Sequence, residues 1–145
     1  MTEIAFHFGA QDRLNYVCRL LRKATASGAK LLVVADSTTL DHLDVDLWGV
    51  AATDFVTHCR SAADPLVVRR SPVVLTDSAP VNYPDFSVLL NLGESVPDGF
   101  AAFERVIEVV SQDEADRQAA RQRWKAYTAM GYSITRHDIA SRAAA

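Results

Sequence analysis

The sequence is poor in the features that mark secreted, membrane-spanning and metal-binding proteins. It contains only two cysteines, Cys18 and Cys59, and no CxxC pair, so we expect reduced thiols in a cytoplasmic protein. Its apolar runs are far shorter than the ~20 residues that a membrane helix needs. The opening MTEIAFHFG lacks the basic and apolar regions of a secretion signal. The four histidines form no HExxH or HxxxH pair, which argues against a zinc site.

The composition is that of an ordinary globular chain. Of the 145 residues, 49% are apolar and 23% are charged, which indicates one α/β domain at 1–140 and a disordered tail at 141–145. The net charge of -3 argues against a protein that coats nucleic acid. Any direct DNA contact would need a local basic patch.

Apolar strands alternate with helical segments along the chain. Continuous runs such as KLLVVA at 30–35 are typical of parallel strands that are covered on both faces. We predict a three-layer α/β sandwich with a mostly parallel sheet that resembles nucleotide-binding folds. Loops are predicted at 60–72 and 77–85, Ser37 is predicted to cap the second helix, and the segment from 133 is weakly specified. The predicted strands are 4–8, 30–35, 55–59, 73–76, 87–92 and 105–110, and the predicted helices are 11–27, 38–48 and 113–132.

The motifs of nucleotide and hydrolase chemistry are absent. The first strand ends in GAQDRL, which is neither GxGxxG nor GxxxxGK[ST], and GxSxG does not occur. Asp36 follows the second strand, where dinucleotide-binding folds place a ribose-binding acid. Without a glycine-rich turn we interpret Asp36 as a strand-end or helix-start residue. We expect no cofactor, no metal and no catalytic residue, and a nucleotide-dependent enzyme remains the alternative.

The helix predicted at 113–132 carries an unusual face. Arg117, Arg121 and Lys125 recur every four residues and line one side, with Trp124 beside them. A large aromatic on a cationic stripe is typical of a surface that binds an acidic, partly apolar partner. Two alternatives stay open: a solvated face with Trp124 in the core, and direct DNA binding by the helix. Gly131 is predicted to close the helix in the left-handed conformation.

Four segments, in order along the chain, resemble the DNA polymerase III chi subunit family. They are FHFGAQDRLNYVCRLLRKATASGAKLLVVADS, LDVDLWGVAATDFVTH, SVLLNLGESVPDGFAAFERVIEVVSQDE and AARQRWKAYTAMGY. The resemblance implies an α/β fold without a nucleotide site, no catalysis, and only indirect contact with DNA. It also implies two partners: the psi subunit of the clamp loader, and the acidic C-terminal tail of single-stranded DNA-binding protein, which ends in aspartates and then Ile-Pro-Phe.

The resemblance places the tail-binding site on the long helix. In this interpretation the planar fork of Arg121 grips the terminal carboxylate, and Trp124 and Val110 wall a pocket for the terminal Phe. Thr128 stands where a further basic residue would extend the stripe. The predicted tail-binding residues are Val110, Arg117, Arg121, Trp124 and Lys125.

The resemblance also points to a psi-binding segment after the second helix. Trp48 could instead complete the buried face of that helix, with Leu40 and Leu43. Thr57 replaces the proline of the family pattern, and Arg69 and Arg70 are predicted loop charges. The predicted psi-binding residues are Leu47, Trp48, Phe55, Val56 and His58.

Overall fold

A computed structural model of the protein describes residues 2–49, 56–78, 80 and 83–139. In these ranges seven strands form one sheet in the order β3-β4-β2-β5-β6-β1-β7, and all neighbours run parallel. The strands are β1 (Glu3–Ala10), β2 (Leu31–Val34), β3 (Cys59–Arg60), β4 (Val73–Thr76), β5 (Val88–Asn91), β6 (Arg105–Ser111) and β7 (Ile134–Asp138). The helices are α1 (Arg13–Ala26), α2 (Ser37–Trp48), α3 (Pro65–Arg70) and α4 (Glu114–Ala129), with a 3-10 turn at Phe100–Ala102.

Helices cover both faces of the sheet, which confirms the predicted three-layer sandwich. α1 and α2 pack on one face, and α3 and α4 on the other. The interior strand β2 contributes to both cores, because Leu31 and Val33 join the α1–α2 cluster while Leu32 joins the α4 cluster. This alternation is the period-2 geometry of a strand. Within the described residues no helix is long and apolar enough to cross a membrane.

The two cysteines lie on opposite faces of the sheet and are free thiols. Cys18 lies on the buried face of α1, and burial raises the pKa of its thiol to about 11. This thiol therefore stays protonated at neutral pH and is a poor nucleophile. Cys59 belongs to the other layer, so the two thiols do not meet.

Helix α3 corrects the prediction of a loop at 60–72. The Asp64 side chain accepts a hydrogen bond from the backbone N of Leu66 at 2.9 Å, and Pro65 takes the first helical position. An Asp-Pro pair at this point favours a helix start, because proline has no N–H to leave unpaired there. Arg69 and Arg70 therefore lie in the last turn of a short helix, where cations suit the helix dipole.

Two smaller differences and one confirmation concern element ends. Asp36, not Ser37, takes the N-cap position of α2. Among the described residues of the strand predicted at 55–59, Cys59 alone belongs to a strand, β3. Phe55 and the predicted tail at 141–145 lie outside the described residues. Gly131 has a φ of 90°, which confirms the left-handed closure predicted after α4.

The largest addition to the prediction is the edge strand β7. Its sequence, ITRHD, alternates weakly and is mostly exposed, so no buried pattern announces it. β7 pairs with β1, placing Ile134 opposite Ile4 and Arg136 opposite Phe6. The segment that the sequence leaves weakly specified thus forms one edge of the sheet, next to α4.

Candidate functional site

A cleft of about 490 Å³ opens between α4 and β7, where β1 and β6 end. Gly9, at the end of β1, has a φ of 88°, in the left-handed region that favours glycine. This position interrupts the register between β1 and β6 as a bulge. The cleft is lined by Phe8, Gly9, Ser111, Gln112, Arg117, Arg121, Trp124, Lys125, Arg136 and Asp138.

Helix α4 brings together four of the five residues predicted for the tail-binding site. It begins after Asp113, whose side chain accepts a hydrogen bond from the backbone N of Asp116. Its three predicted cations are exposed on the face that lines the cleft. With Arg136 the lining contains four cations against one carboxylate, in a chain whose net charge is -3. The cleft is therefore a local anion-attracting site.

Trp124 lies partly in the core and partly at the cleft, so both the core interpretation and the binding-surface interpretation hold for part of its side chain. Its indole packs on the core, 5.1 Å from the ring of Phe6 and 6.0 Å from the ring of Phe8. It is only half-buried, and its remaining surface lines the cleft beside Phe8. The cleft thus has an aromatic floor below its cations, which suits a ligand with an apolar end and an acidic body.

The two arginines of the stripe share one counter-ion. Glu114 Oε2 lies 3.6 Å from Arg117 Nη1, and Glu114 Oε1 lies 3.6 Å from Arg121 Nη1. All three side chains are more than half exposed, so these are loose surface pairs. Among the described residues no ion pair is formed by Lys125 or by Arg136. A carboxylate of a ligand would find two unpaired cations and two that are weakly engaged.

Val110 corrects the prediction for the fifth residue. It is fully buried in the α4 cluster and does not line the cleft, whereas the neighbouring Val109 belongs to the opposite layer. β6 runs one residue further than predicted, so Ser111 and not Val110 stands at the cleft. Val110 supports the cleft from below, and no ligand can touch its side chain without rearrangement.

Beneath α4 lies a buried polar network that the sequence prediction misses. Glu108 accepts hydrogen bonds from Arg123 Nε at 2.9 Å, from Tyr127 Oη at 2.7 Å and from Asn91 Nδ2 at 3.0 Å. Arg123 Nη1 also donates to the backbone oxygen of Glu94 at 3.1 Å. Burial raises the pKa of Glu108, while Arg123 opposes that rise. Burial and the neighbouring carboxylate also raise the pKa of Tyr127, so its hydroxyl stays a donor.

The signal for this network is present in the sequence. Glu108 is the one acid in the buried run VIEVV, and Arg123 falls on the inner face of a helix whose other inner residues are Ala120 and Tyr127. A buried charge is seldom stable without a partner. The network joins α4 to β5 and β6, so it fixes the helix that carries the cleft cations.

The residues predicted to bind psi separate into core and surface. Leu47 and Val56 are buried in the α1–α2 cluster, so the structure corrects both: neither offers a surface to a partner. The His58 side chain is also buried, with Nε2 2.5 Å from Asp44 Oδ1 and Nδ1 2.6 Å from the oxygen of Val56. Phe55 lies outside the described residues.

Among the described residues of the predicted psi-binding set, Trp48 is the one with a largely exposed side chain. It is 63% exposed, and its ring lies 6.0 Å from that of His58. Val45, three residues earlier on α2 and not predicted, is 69% exposed. Residues at this spacing share a helix face. Val45 and Trp48 therefore form an apolar surface at the end of α2, on the side of the sheet opposite α4.

A second cleft lies at the carboxyl ends of β2, β5 and β6, where open α/β sheets commonly bind nucleotides. Its charged lining consists of four acids and Arg13. Asp36 belongs to this lining and accepts a hydrogen bond from the Thr39 hydroxyl, which lowers the pKa of the Asp36 carboxyl. An acidic rim repels phosphates, so the geometry does not favour the nucleotide alternative. The four acids are Asp36, Glu94, Asp113 and Asp116.

The fold and the first cleft define a three-layer α/β protein with a basic, aromatic-floored surface cleft in place of a phosphate loop. The sequence profile described as "DNA polymerase III chi subunit, HolC" matches residues 1–135. The chain belongs to the DNA polymerase III chi subunit family, which confirms the resemblance seen in its segments.

Curated relatives agree with this assignment, and one solved structure shares the fold. The DNA polymerase III subunit chi of Pseudomonas aeruginosa is 34% identical over 129 residues, which cover 88% of this chain and 87% of that protein. The Escherichia coli subunit chi is 28% identical over 119 residues, covering 81% and 80%. The C-terminal domain of S. cerevisiae Dbp5, solved with Gle1 and IP6, superimposes with a TM-score of 0.59 at 12% identity, covering 95% and 90%. That likeness concerns the fold alone.

Proposed function

We propose that this chain is a noncatalytic replication adaptor that links the clamp loader, through the psi subunit, to the acidic C-terminal tail of single-stranded DNA-binding protein. The observation that carries this proposal is the cleft between α4 and β7, with four cations above a floor of Trp124 and Phe8. Such a lining complements a peptide that has aspartates followed by an apolar, aromatic end. Tethering raises the effective concentration, so a weak contact with one of many tails on a coated strand suffices.

Each part of the cleft has a role in this proposal. The guanidinium of Arg121 can donate two parallel hydrogen bonds to the terminal carboxylate. The terminal Phe packs against Trp124 and Phe8, which are already in contact with each other. Arg117 and Lys125 attract the aspartates, which mainly raises the rate of encounter and makes binding salt-dependent.

The test is fluorescence anisotropy of a labelled peptide ending Asp-Asp-Asp-Ile-Pro-Phe, titrated with the protein. We expect saturable binding in the micromolar range, and a loss of at least about tenfold for Arg121→Ala, because hydrogen bonds to charged groups are the stronger ones. Arg19→Ala is the matched control, since Arg19 is equally an exposed helical arginine but lies on α1, on the opposite face of the sheet.

Two outcomes of this titration would count against the proposal. Absence of binding at low salt by a folded protein removes the tail site. Equal losses for Arg121→Ala and Arg19→Ala would mean that net charge, not the cleft, drives binding. A naked single-stranded oligonucleotide serves as competitor, and tight oligonucleotide binding with a steep salt slope would instead indicate direct DNA binding.

Replacing Glu114 is expected to strengthen peptide binding, whereas replacing Arg121 weakens it. Because the Glu114 carboxylate already engages Arg117 and Arg121, it competes with the ligand for them. We expect Glu114→Gln to tighten peptide binding by about twofold to fivefold, the range of an exposed ion pair. Glu104→Gln is the control, since it makes the same change in charge at an exposed site just before β6. Equal gains for both variants would refute competition by Glu114.

The psi contact is proposed for the surface formed by Val45 and Trp48. Exposed aromatic anchors are favoured at the centres of interfaces, and this surface faces away from α4. A protein built in this way can hold both partners at once, because the two sites lie on opposite layers of the sandwich.

A further inference from the structure

One wall of the cleft is helix α4, and the opposite wall is the strand β7. β7 is an edge strand that hydrogen-bonds with β1, and the part of it that lines the cleft consists of Arg136 and Asp138. Arg136 stands across the cleft from the α4 stripe and is absent from the positions that the family resemblance marks. The cations of the cleft therefore come from two separate elements.

Arg136 is held in place by an aromatic ring. Its guanidinium carbon lies 4.6 Å from the centroid of the Phe8 ring, and Phe8 itself stacks on Phe6 at 5.6 Å. A guanidinium stacked on a ring keeps its in-plane N–H donors available for a carboxylate. Less side-chain freedom then remains to be lost when a ligand binds, since the ring already restricts the arginine.

Arg136 also lacks a paired counter-ion among the described residues, although Asp138 lines the same wall two residues further along β7. Within the described residues it makes no ion pair with any carboxylate, whereas Arg117 and Arg121 share Glu114. The guanidinium of Arg136 is therefore available to an acidic ligand without the loss of an existing ion pair.

We infer that Arg136 is a binding residue of the cleft, and that it holds one carboxylate of an extended acidic peptide which lies clamped between α4 and β7. The inference rests on the proposed function. It makes β7 part of the binding site. Although the sequence specifies this strand weakly, β7 then helps the protein to select acidic over neutral peptides. Phe8 serves both walls, because it contacts Arg136 on one side and Trp124 on the other.

The test combines variants of the protein with variants of the peptide. We expect Arg136→Ala to weaken binding of the Asp-Asp-Asp-Ile-Pro-Phe peptide by about threefold to tenfold, between the value of a surface ion pair and that of a charge-assisted hydrogen bond. Arg136→Lys keeps the charge and loses the planar fork, so its affinity for the peptide should lie between that of wild type and that of Arg136→Ala. Arg105→Ala is the control, because Arg105 is an exposed strand arginine at the start of β6, whereas the cleft lies where β6 ends. Its affinity for the peptide should stay within about twofold of wild type.

A double-mutant cycle separates a contact from a structural effect. Each acid of the peptide is replaced in turn, by asparagine or by a C-terminal carboxamide. For one of these peptides we expect Arg136→Ala to weaken binding by less than about twofold. That peptide lacks the carboxylate that Arg136 holds, so removing Arg136 breaks no further contact. A loss that is the same for every peptide would mean that Arg136 only covers Phe8, and would overturn the inference.

Failure of the inference and failure of the proposed function give different results. If wild type binds the peptide and Arg121→Ala abolishes binding, but Arg136→Ala binds like wild type, only the clamp is wrong. If wild type does not bind at all, the tail site is wrong and the clamp falls with it.

Discussion

Replacing Arg123 with methionine is expected to lower the free energy of unfolding by about 3–5 kcal/mol, because it leaves the buried carboxylate of Glu108 without its cation. Both side chains are almost fully enclosed, and their contact is a direct hydrogen bond of 2.9 Å. Tyr127 and Asn91 would still donate to Glu108, but neither supplies positive charge. The measurement is urea unfolding followed by circular dichroism, with the midpoint and slope fitted together.

Two variants make this prediction specific. Arg121→Met, two residues earlier on the exposed face, should change stability by no more than about 0.5 kcal/mol. The double variant Glu108→Gln with Arg123→Met should recover much of the loss, because an amide is neutral and can still accept hydrogen bonds from Tyr127 and Asn91. A loss below about 1 kcal/mol for Arg123→Met alone would show that the pair is not what fixes α4.

The network also connects stability with the cleft. Arg123 and Tyr127 lie on the inner face of α4, and Arg121, Trp124 and Lys125 lie on the side that lines the cleft. Any shift that loosens the inner contacts displaces the cleft cations as well. Variants that weaken the network are therefore expected to weaken the ligand site, without touching a ligand.

The fold is predictable where burial leaves a strong pattern. Strands such as Leu31–Val34 and Val73–Thr76 are almost wholly buried, so their sequences are continuous apolar runs. Helix α4 is predictable from its acidic first turn and its closing glycine. The same logic explains the failures: β7 is an exposed edge strand with four polar residues in five, and α3 has no buried residue among its six.

The site is predictable in part for a similar reason. A stripe on one helix can be read from spacing, so Arg117, Arg121, Trp124 and Lys125 are found. What the spacing cannot show is which residues of other elements face that stripe, so Arg136 and Phe8 are missed. Nor does the family resemblance show depth, which is why Val110 is predicted to wall the pocket although its side chain is fully buried.

Leu47 and Trp48 are adjacent in sequence but should respond to substitution in opposite ways. Leu47 is fully buried between α2 and the sheet, so Leu47→Ala should lower the free energy of unfolding by about 2–5 kcal/mol through lost packing and a residual cavity. Trp48 is largely exposed, so Trp48→Ala should cost at most about 1 kcal/mol. Urea unfolding of both variants measures this difference.

For binding of the psi subunit, Trp48→Ala should have the larger effect and Leu47→Ala the smaller one, the reverse of their effects on stability. If Trp48 is the anchor of that contact, Trp48→Ala should weaken binding by about thirtyfold or more, the effect of a hot-spot aromatic of ~2 kcal/mol. Leu47→Ala, measured by calorimetry under conditions where it remains folded, should bind nearly as wild type does, because its side chain reaches no partner. Val45→Ser tests the extent of the surface, since Val45 shares the exposed face with Trp48. A Trp48→Ala variant that binds psi normally, or that unfolds as readily as Leu47→Ala, would place the contact elsewhere and assign Trp48 to the packing of α2.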